Sequence, residues 1–282
     1  MFLLTGERIA RYTIDSVIGR GATGVVYRAR TPEGTRVALK LTDAGLPPPL
    51  EEELRQRCRR ELQLAPLLDH PALAPATEGG EHDRRPWLTM RLAPGESLAR
   101  LLARVGRMPE PAVRALGATL AGALAHCHER KVFHRDVKPT NVVVPQEELV
   151  SGRAWLVDFG LARGPGAAKV TRVGMPLGAF GFAAPEQLGG IDAGAPTDLF
   201  GLGVVLYLAL TGVRPFAGAT ADEYEAALAG GPPAAPSAHA PVSPALERLV
   251  LACLQRDPRE RLHSAVELEH ALRGGGAPQR AR

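Results

Sequence analysis

The sequence predicts an α+β fold in which a small β-rich part precedes a larger, mainly α-helical part. Residues 12–41 alternate apolar and polar side chains, are rich in β-branched types and contain glycine turns, which is typical of antiparallel strands. Beyond residue 96, most segments carry apolar residues at helical spacing instead. Hydrophobic residues make up 45% of the 282 residues, so the chain can bury a sizeable core.

The predicted elements follow in order along the chain. Strands are expected at 12–19, 24–30 and 36–41, and a further strand at 86–92. The segment 49–68 between them has a helical pattern, which Pro66 ends. Helical spacing recurs at 97–105, 109–130, 197–212, 220–229, 243–255 and 264–273, with short strands at 132–134, 141–144 and 154–158. The sequence thus divides into a first part over about 1–91, a connector at 91–95, a second part over 96–273, and a flexible basic tail at 274–282.

Composition excludes several function classes. The net charge of +4 is small and the basic residues are dispersed, which argues against a nucleic-acid binder. Three scattered cysteines do not make a disulfide framework and fit a reducing compartment. The longest apolar run, 199–212, is too short to span a bilayer, so we expect a cytoplasmic chain without a membrane segment.

Lysine and asparagine are scarce, which makes their positions informative. The chain has four Lys against 30 Arg, and Asn141 is the single asparagine. Two of the four lysines, Lys40 and Lys138, lie in the motifs described below. A chemical requirement at these positions would explain why arginine does not replace them.

The first motif is a glycine-rich loop, Gly19-Arg-Gly21-Ala-Thr-Gly24. Such a loop alone is weak evidence, but here a strand follows it rather than the helix of a dinucleotide fold. The next strand ends in Val-Ala-Leu-Lys40. This lysine is either an ordinary charge at the end of a strand, exposed to solvent, or a phosphate-binding residue. Glu61, in the middle of the following helix, is the candidate ion-pair partner of Lys40, although an exposed helix charge is the alternative.

The strongest motif is His134-Arg135-Asp136-Val-Lys138-Pro-Thr-Asn141. Asp136 would accept or orient the proton of an attacking hydroxyl, Lys138 would neutralise a transferring phosphoryl group, and the Asn141 amide oxygen would bind a hard cation. Asp158-Phe-Gly, directly after an apolar strand, suits a Mg²⁺ ligand, although alone it would be read as a turn.

Together these motifs resemble a eukaryotic-type (Hanks-type) serine/threonine protein kinase, and they occur in the family order over about residues 12–272. Ala184-Pro185-Glu186, Arg261 as the partner of Glu186, and Asp198 as the anchor of the Asp136 loop extend the match. Lys138-Pro139 is similar to serine/threonine rather than tyrosine kinases, and the Ala-, Gly- and Arg-rich composition resembles a bacterial member. The resemblance implies a two-lobed protein kinase-like fold: a small antiparallel sheet with one helix, then a helical lobe, with an ATP cleft.

The resemblance also implies roles for individual residues. Asp136 would be the catalytic base, with Lys138, Lys40 and Glu61 in the catalytic set, and Asn141 and Asp158 would bind Mg²⁺, with Mn²⁺ considered as a second cation. The implied ATP-binding residues are Ile18, Gly19, Gly21, Gly24, Val25, Ala38, Lys40, Met90, Arg91 and Ala93. The partners implied are ATP and protein substrates with Ser or Thr acceptors, and a homodimer is considered for trans-autophosphorylation.

One departure from the family pattern keeps an alternative open. Ala179 stands where serine/threonine kinases usually have a threonine, so a catalytically weak pseudokinase that acts as a nucleotide-binding scaffold is the alternative to an active enzyme. A small-molecule kinase fits the motifs least. Thr171 is the only hydroxyl side chain between Gly160 and Pro185 and is predicted to be an autophosphorylation site whose phosphate pairs with Arg135.

Overall fold

The computed structural model describes residues 5–145, 151–162, 180–191 and 194–274. The described residues form two compact units. Unit 1 contains those up to Asp69 together with Leu73–Ala93 and Asp158–Leu161. Unit 2 contains His70–Ala72, Pro94–Val157 and the described residues from Ala162 on.

Unit 1 is built on a six-stranded sheet with the strand order β1-β2-β3-β4-β6-β5, in which all neighbours are antiparallel. The strands are β1 (Arg8–Ile9), β2 (Tyr12–Arg20), β3 (Gly24–Arg30), β4 (Arg36–Thr42), β5 (Ala76–His82) and β6 (Arg85–Arg91). The sequence Ala-Thr-Glu-Gly-Gly-Glu-His of β5 has no apolar alternation, and this strand was not predicted. Its pairing with β6 makes it a strand, because tertiary pairing overrides weak local preference.

The sheet buries one face in an apolar cluster. Its members come from β1 to β4 and β6 and are Ile9, Tyr12, Ile14, Val25, Tyr27, Ala29, Leu39, Leu41 and Trp87. Helix α1 (Pro48–Leu64) follows β4 in unit 1 and ends in a 3-10 turn over Ala65–Leu67, where Pro66 lies as predicted. Helix α1 buries Leu54, Glu61 and Leu64, so one carboxylate lies among its buried residues.

Unit 2 is mainly helical. Its helices are α2 (Leu98–Val105), α3 (Glu110–Glu129), α4 (Pro185–Leu188), α5 (Ala195–Thr211), α6 (Ala221–Ala229), α7 (Pro244–Cys253) and α8 (Ala265–Leu272). A small sheet in the order β7-β8-β9 joins Glu96–Ser97, Val142–Val144 and Trp155–Leu156. The strand expected at 132–134 is wrong. Only Phe133 forms a bridge there, and the Val132 N–H donates to the Cys127 carbonyl at 2.9 Å.

The small sheet and α5 position residues 134–141. The 3-10 turn Pro139–Asn141 leads directly into β8, and the Val157 N–H after β9 donates to the Asn141 carbonyl at 2.9 Å. Helix α5 is buried on nearly all sides, which is expected for a helix that is apolar around its whole circumference. Among the described residues, no helix combines the length and the apolar character that a membrane span requires.

A buried ion pair joins α4 to the chain before α8. Arg261 binds both carboxylate oxygens of Glu186 at 2.7 Å, and the Thr197 hydroxyl donates to Glu186 Oε1 at 2.9 Å. The other three guanidinium donors bind the carbonyls of Gln255, Pro196 and Arg256. All five donors of Arg261 are therefore satisfied, which a fully buried guanidinium requires.

We expect Arg261→Met to lower the free energy of unfolding by about 3–5 kcal/mol, because it leaves the Glu186 carboxylate buried without a counter-charge. Urea denaturation measures the loss. The double variant Arg261→Met/Glu186→Leu should recover part of it, since no buried charge then remains.

The exposed pair of Arg259 and Asp257 is the matched control. Its arginine side chain is 88% exposed, so Arg259→Met should leave the unfolding curve nearly unchanged. Equal losses in Arg261→Met and Arg259→Met would contradict the structural role of the buried pair.

Candidate active site

One face of the unit 1 sheet carries Lys40 together with apolar side chains. The register pairs Val26 with Lys40 across β3 and β4, and Ala38 with Met90 across β4 and β6. Because paired residues and residues two apart share a face, these four side chains lie on the same side of the sheet. The sheet thus presents an apolar surface beside a lysine.

Val25, one of the predicted ATP-binding residues, does not lie on the Lys40 face of the sheet. Val25 pairs with Leu41, is 2% exposed and belongs to the apolar cluster on the opposite face of the sheet. Val26 occupies the Lys40 face in its place. The family spacing of the glycine loop, which has a valine two residues after its third glycine, would have identified Val26 from the sequence.

The glycines of the Gly19–Gly24 loop have different reasons to be glycine. A Cβ at Gly24 would lie 2.4 Å from the Leu41 carbonyl oxygen, so the close approach of β3 to β4 requires glycine there. At Gly19 and Gly21 the nearest atoms would be 3.8 Å from an added Cβ, and neither has a positive φ. The protein's own packing therefore does not explain these two glycines.

Lys40 forms its ion pair with Asp158, whose Oδ1 lies 2.8 Å from the Lys40 Nζ. Among the described residues, Lys40 makes no such direct pair with Glu61, which was the partner expected from the sequence. Burial alone would lower the pKa of Lys40. The negative charges of Asp158 and, second, of Glu61 outweigh burial, so the pKa of Lys40 is raised and its ammonium stays charged.

Glu61 is buried beside this pair, with 4% of its surface exposed. Burial, opposed by the charge of Lys40, raises the pKa of Glu61 to about 7. Gly160 allows the approach, because a Cβ there would lie 2.9 Å from Glu61 Oε1 and 3.2 Å from Asp158 Oδ1. Asp158 itself has φ of 65°, a left-handed conformation that non-glycine residues adopt rarely.

Unit 2 brings Asp136, Lys138 and Asn141 together. The Lys138 Nζ donates to Asp136 Oδ2 at 2.7 Å. The Asn141 amide nitrogen donates to the Asp136 carbonyl and to Asp136 Oδ2, both at 2.9 Å. These bonds fix the orientation of the Asp136 carboxylate and use only the nitrogen of the Asn141 amide, so its oxygen is the atom left for a cation.

The Asp198 carboxylate holds the chain just before Asp136. It accepts hydrogen bonds from the main-chain N–H of His134 at 2.9 Å and of Arg135 at 2.6 Å, and lies 2.8 Å from His128 Nε2. Burial alone would raise the pKa of Asp198, but the hydrogen bond and charge of His128 and the bond from Arg135 lower it. The buried carboxylate is thus ionised and satisfied, as the anchor role implied by the family resemblance requires.

The remaining candidate residues lie as follows. Ile18 is at a register shift of β2 between Val17 and Gly19, Arg91 is the exposed last residue of β6, and Ala93 is the last residue of unit 1 in that stretch of chain. Arg135 has φ of 64° and precedes Asp136. Thr171 and Ala179 lie outside the described residues, so their roles stay predictions.

We expect Glu61→Gln to change how stability depends on pH. The carboxyl titrates near 4.5 when unfolded and near 7 when folded, so its contribution to stability is full below about 4.5 and is lost as pH rises through about 7. Glutamine cannot lose a proton, and the variant should gain stability relative to the wild type between pH 5 and pH 8.

Urea denaturation at several pH values measures this difference. Glu52→Gln, at an exposed position of the same helix, is the control and should run parallel to the wild type. A Glu61→Gln curve that is also parallel to the wild type would contradict the raised pKa of Glu61.

Comparisons with known proteins agree with this geometry. The family model for the protein kinase domain matches residues 12–272. Serine/threonine-protein kinase PknJ of Mycobacterium tuberculosis is 35% identical over 274 residues, covering 95% of this chain and 46% of that protein. PknL and PknH of M. tuberculosis are 34% and 32% identical, covering 92% and 93% of this chain and 64% and 41% of those proteins.

The chain therefore spans about half the length of the curated relatives it matches. The family match extends over nearly the whole chain, and the three relatives are bacterial kinases named for serine and threonine. By these comparisons the chain belongs to the protein kinase family, as a bacterial Hanks-type serine/threonine protein kinase.

Proposed function

We propose that this chain transfers the γ-phosphoryl group of ATP to serine or threonine hydroxyls of protein substrates. The observation that carries the proposal is the cluster of Asp136, Lys138 and Asn141, in which a carboxylate, an ammonium and an amide are joined by bonds of 2.7–2.9 Å. Phosphoryl transfer needs these three groups: a carboxylate for the acceptor hydroxyl, a positive charge and a cation ligand. Membership of the kinase family supports the same activity.

Asp136 acts on the acceptor hydroxyl in this proposal. Its carboxylate orients the hydroxyl and accepts its proton while the oxygen attacks the γ-phosphorus, and the bond from that phosphorus to the β,γ-bridging oxygen breaks. ADP leaves with the electron pair of the broken bond. Lys138, 2.7 Å from Asp136, balances negative charge on the phosphoryl group during transfer.

Unit 1 binds the nucleotide in this proposal. The apolar face formed by Val26, Ala38 and Met90 suits a flat base, and Lys40 on the same face suits its phosphates. A Cβ at Gly19 or Gly21 would make only ordinary van der Waals contact at 3.8 Å, and the missing side chains let the main chain of the loop approach an anion. The charges of Asp158 and, second, of Glu61 outweigh burial, raise the pKa of Lys40 and keep its ammonium protonated.

The donor set fits Mg²⁺. The described residues contain no group of three or more His, Cys, Asp or Glu side chains that could form a metal cage. Mg²⁺ typically binds through one or two protein oxygens together with substrate phosphates, and the Asn141 amide oxygen and the Asp158 carboxylate are hard ligands of that kind. When bound, the ion would neutralise charge on the phosphate oxygens.

The pseudokinase alternative is not favoured. It rests on Ala179 alone, whereas the lysine, the base, the asparagine and the second aspartate that transfer requires are all present. A threonine hydroxyl at position 179 would supply one hydrogen bond, worth about 1 kcal/mol. Its loss in Ala179 weakens catalysis but removes none of the essential groups.

We expect Asp136→Asn to lower phosphate incorporation at least about 100-fold, because an amide cannot accept the proton of the acceptor hydroxyl. The affinity for ATP should stay within about twofold, measured by calorimetry, whereas Lys40→Met should weaken it by removing a phosphate contact. Radiolabelled ATP and a generic protein substrate such as casein measure incorporation.

Asp83→Asn is the matched control. Asp83 is 82% exposed in the turn between β5 and β6 and has φ of 50°, which asparagine tolerates well. It should retain wild-type activity. ATP binding by the wild type without any phosphate incorporation would reject the kinase proposal and leave the nucleotide-binding scaffold.

We also propose that Thr171 is autophosphorylated and that its phosphate pairs with Arg135. Thr171→Ala should then lower activity severalfold, and mass spectrometry should find phosphate on Thr171 in the wild type but not in Asp136→Asn. Full activity in Thr171→Ala, or active wild-type protein without a phosphate there, would contradict this regulatory role.

A further inference from the structure

The side chain of Gln187 makes two hydrogen bonds to main-chain groups. Its Oε1 accepts from the Ala184 N–H at 2.8 Å, and its Nε2 donates to the Arg135 carbonyl at 2.9 Å. One amide therefore connects the beginning of α4 with the residue before Asp136. The adjacent Glu186 is fixed by Arg261, so Gln187 is attached to a rigid part of the chain.

The Arg135 carbonyl belongs to the peptide group that joins Arg135 to Asp136. The other end of that group, the Asp136 N–H, donates to His134 Nδ1 at 3.3 Å. With φ of 64°, Arg135 is held in a conformation that a side chain disfavours, and its own N–H is bound by Asp198. Asp198 and Gln187 are side chains that support this backbone, and Gln187 does so by donating to the carbonyl.

We propose that Gln187 is a positioning residue for Asp136. Its amide N–H fixes the plane of the Arg135–Asp136 peptide, and that plane sets the position of the Asp136 main chain, from which the carboxylate bound by Lys138 and Asn141 extends. This inference rests on the proposed function, because the alignment matters for phosphoryl transfer to the acceptor hydroxyl. The competing interpretation is that Gln187 serves only to satisfy the Ala184 N–H at the beginning of α4.

Two substitutions separate these interpretations. Gln187→Glu keeps an acceptor for the Ala184 N–H but replaces the donor to Arg135 with an oxygen, which repels the carbonyl. Gln187→Met removes both bonds at similar volume. If the bond to Arg135 positions the base, both variants should lower kcat at least about tenfold while KM for ATP stays within about twofold.

Gln255→Glu is the matched control. The Gln255 amide nitrogen also donates to a main-chain carbonyl, that of Leu251 in α7, at 3.1 Å. The substitution makes the same chemical change outside residues 134–141 and should leave kcat unchanged. Thermal unfolding midpoints of all three variants report whether the fold is retained.

Hydrogen exchange provides a readout that does not depend on activity. In the protein without nucleotide, peptides covering 134–138 should exchange faster in Gln187→Glu than in the wild type or in Gln255→Glu. A Gln187→Glu protein with wild-type kcat, or with unchanged exchange over 134–138, would overturn the positioning role. Absence of phosphate transfer by the wild type would instead reject the proposed function, and the exchange measurement would still decide the role of Gln187.

Discussion

The buried carboxylate of Asp198 is the constraint on which residues 134–141 depend. It accepts two main-chain hydrogen bonds and one from His128, and these donors keep it ionised although it is almost fully buried. A buried charge is stable only if hydrogen-bond donors compensate for the lost water, and here His134 and Arg135 supply two of the three donors from their main chain. The hydrogen bond from the Arg135 N–H to Asp198 helps to hold Arg135 at its left-handed φ of 64°.

The same principle recurs in α4. Glu186 is buried with Arg261, whose five donors are all used, and the next residue, Gln187, extends to the Arg135 carbonyl. Side chains of α4 and α5 thus hold the main chain of Arg135 from its two polar ends. Rigid support of this kind suits phosphoryl transfer, because catalysis of that reaction depends mainly on positioning and electrostatics.

In unit 1 the important relation is between three charged side chains. Lys40 is bonded to the carboxylate of Asp158, and the negative charge of Glu61 also raises the pKa of Lys40. Both charges keep the lysine protonated, while burial leaves Glu61 with a pKa near 7. A phosphate that binds Lys40 would therefore meet a cation already balanced by carboxylates.

The sequence by itself determined the α+β division, most of the strands and helices, and the identity of Lys40, Asp136, Asn141 and Asp158 as candidates, because periodicity and motif spacing are local properties. Tertiary structure alone decided that Asp158 rather than Glu61 forms the ion pair with Lys40. It also made β5 a strand and brought Gln187 to Arg135, 52 residues away. These features depend on strand register and on contacts between distant segments, and neither is encoded in the pattern of any single segment.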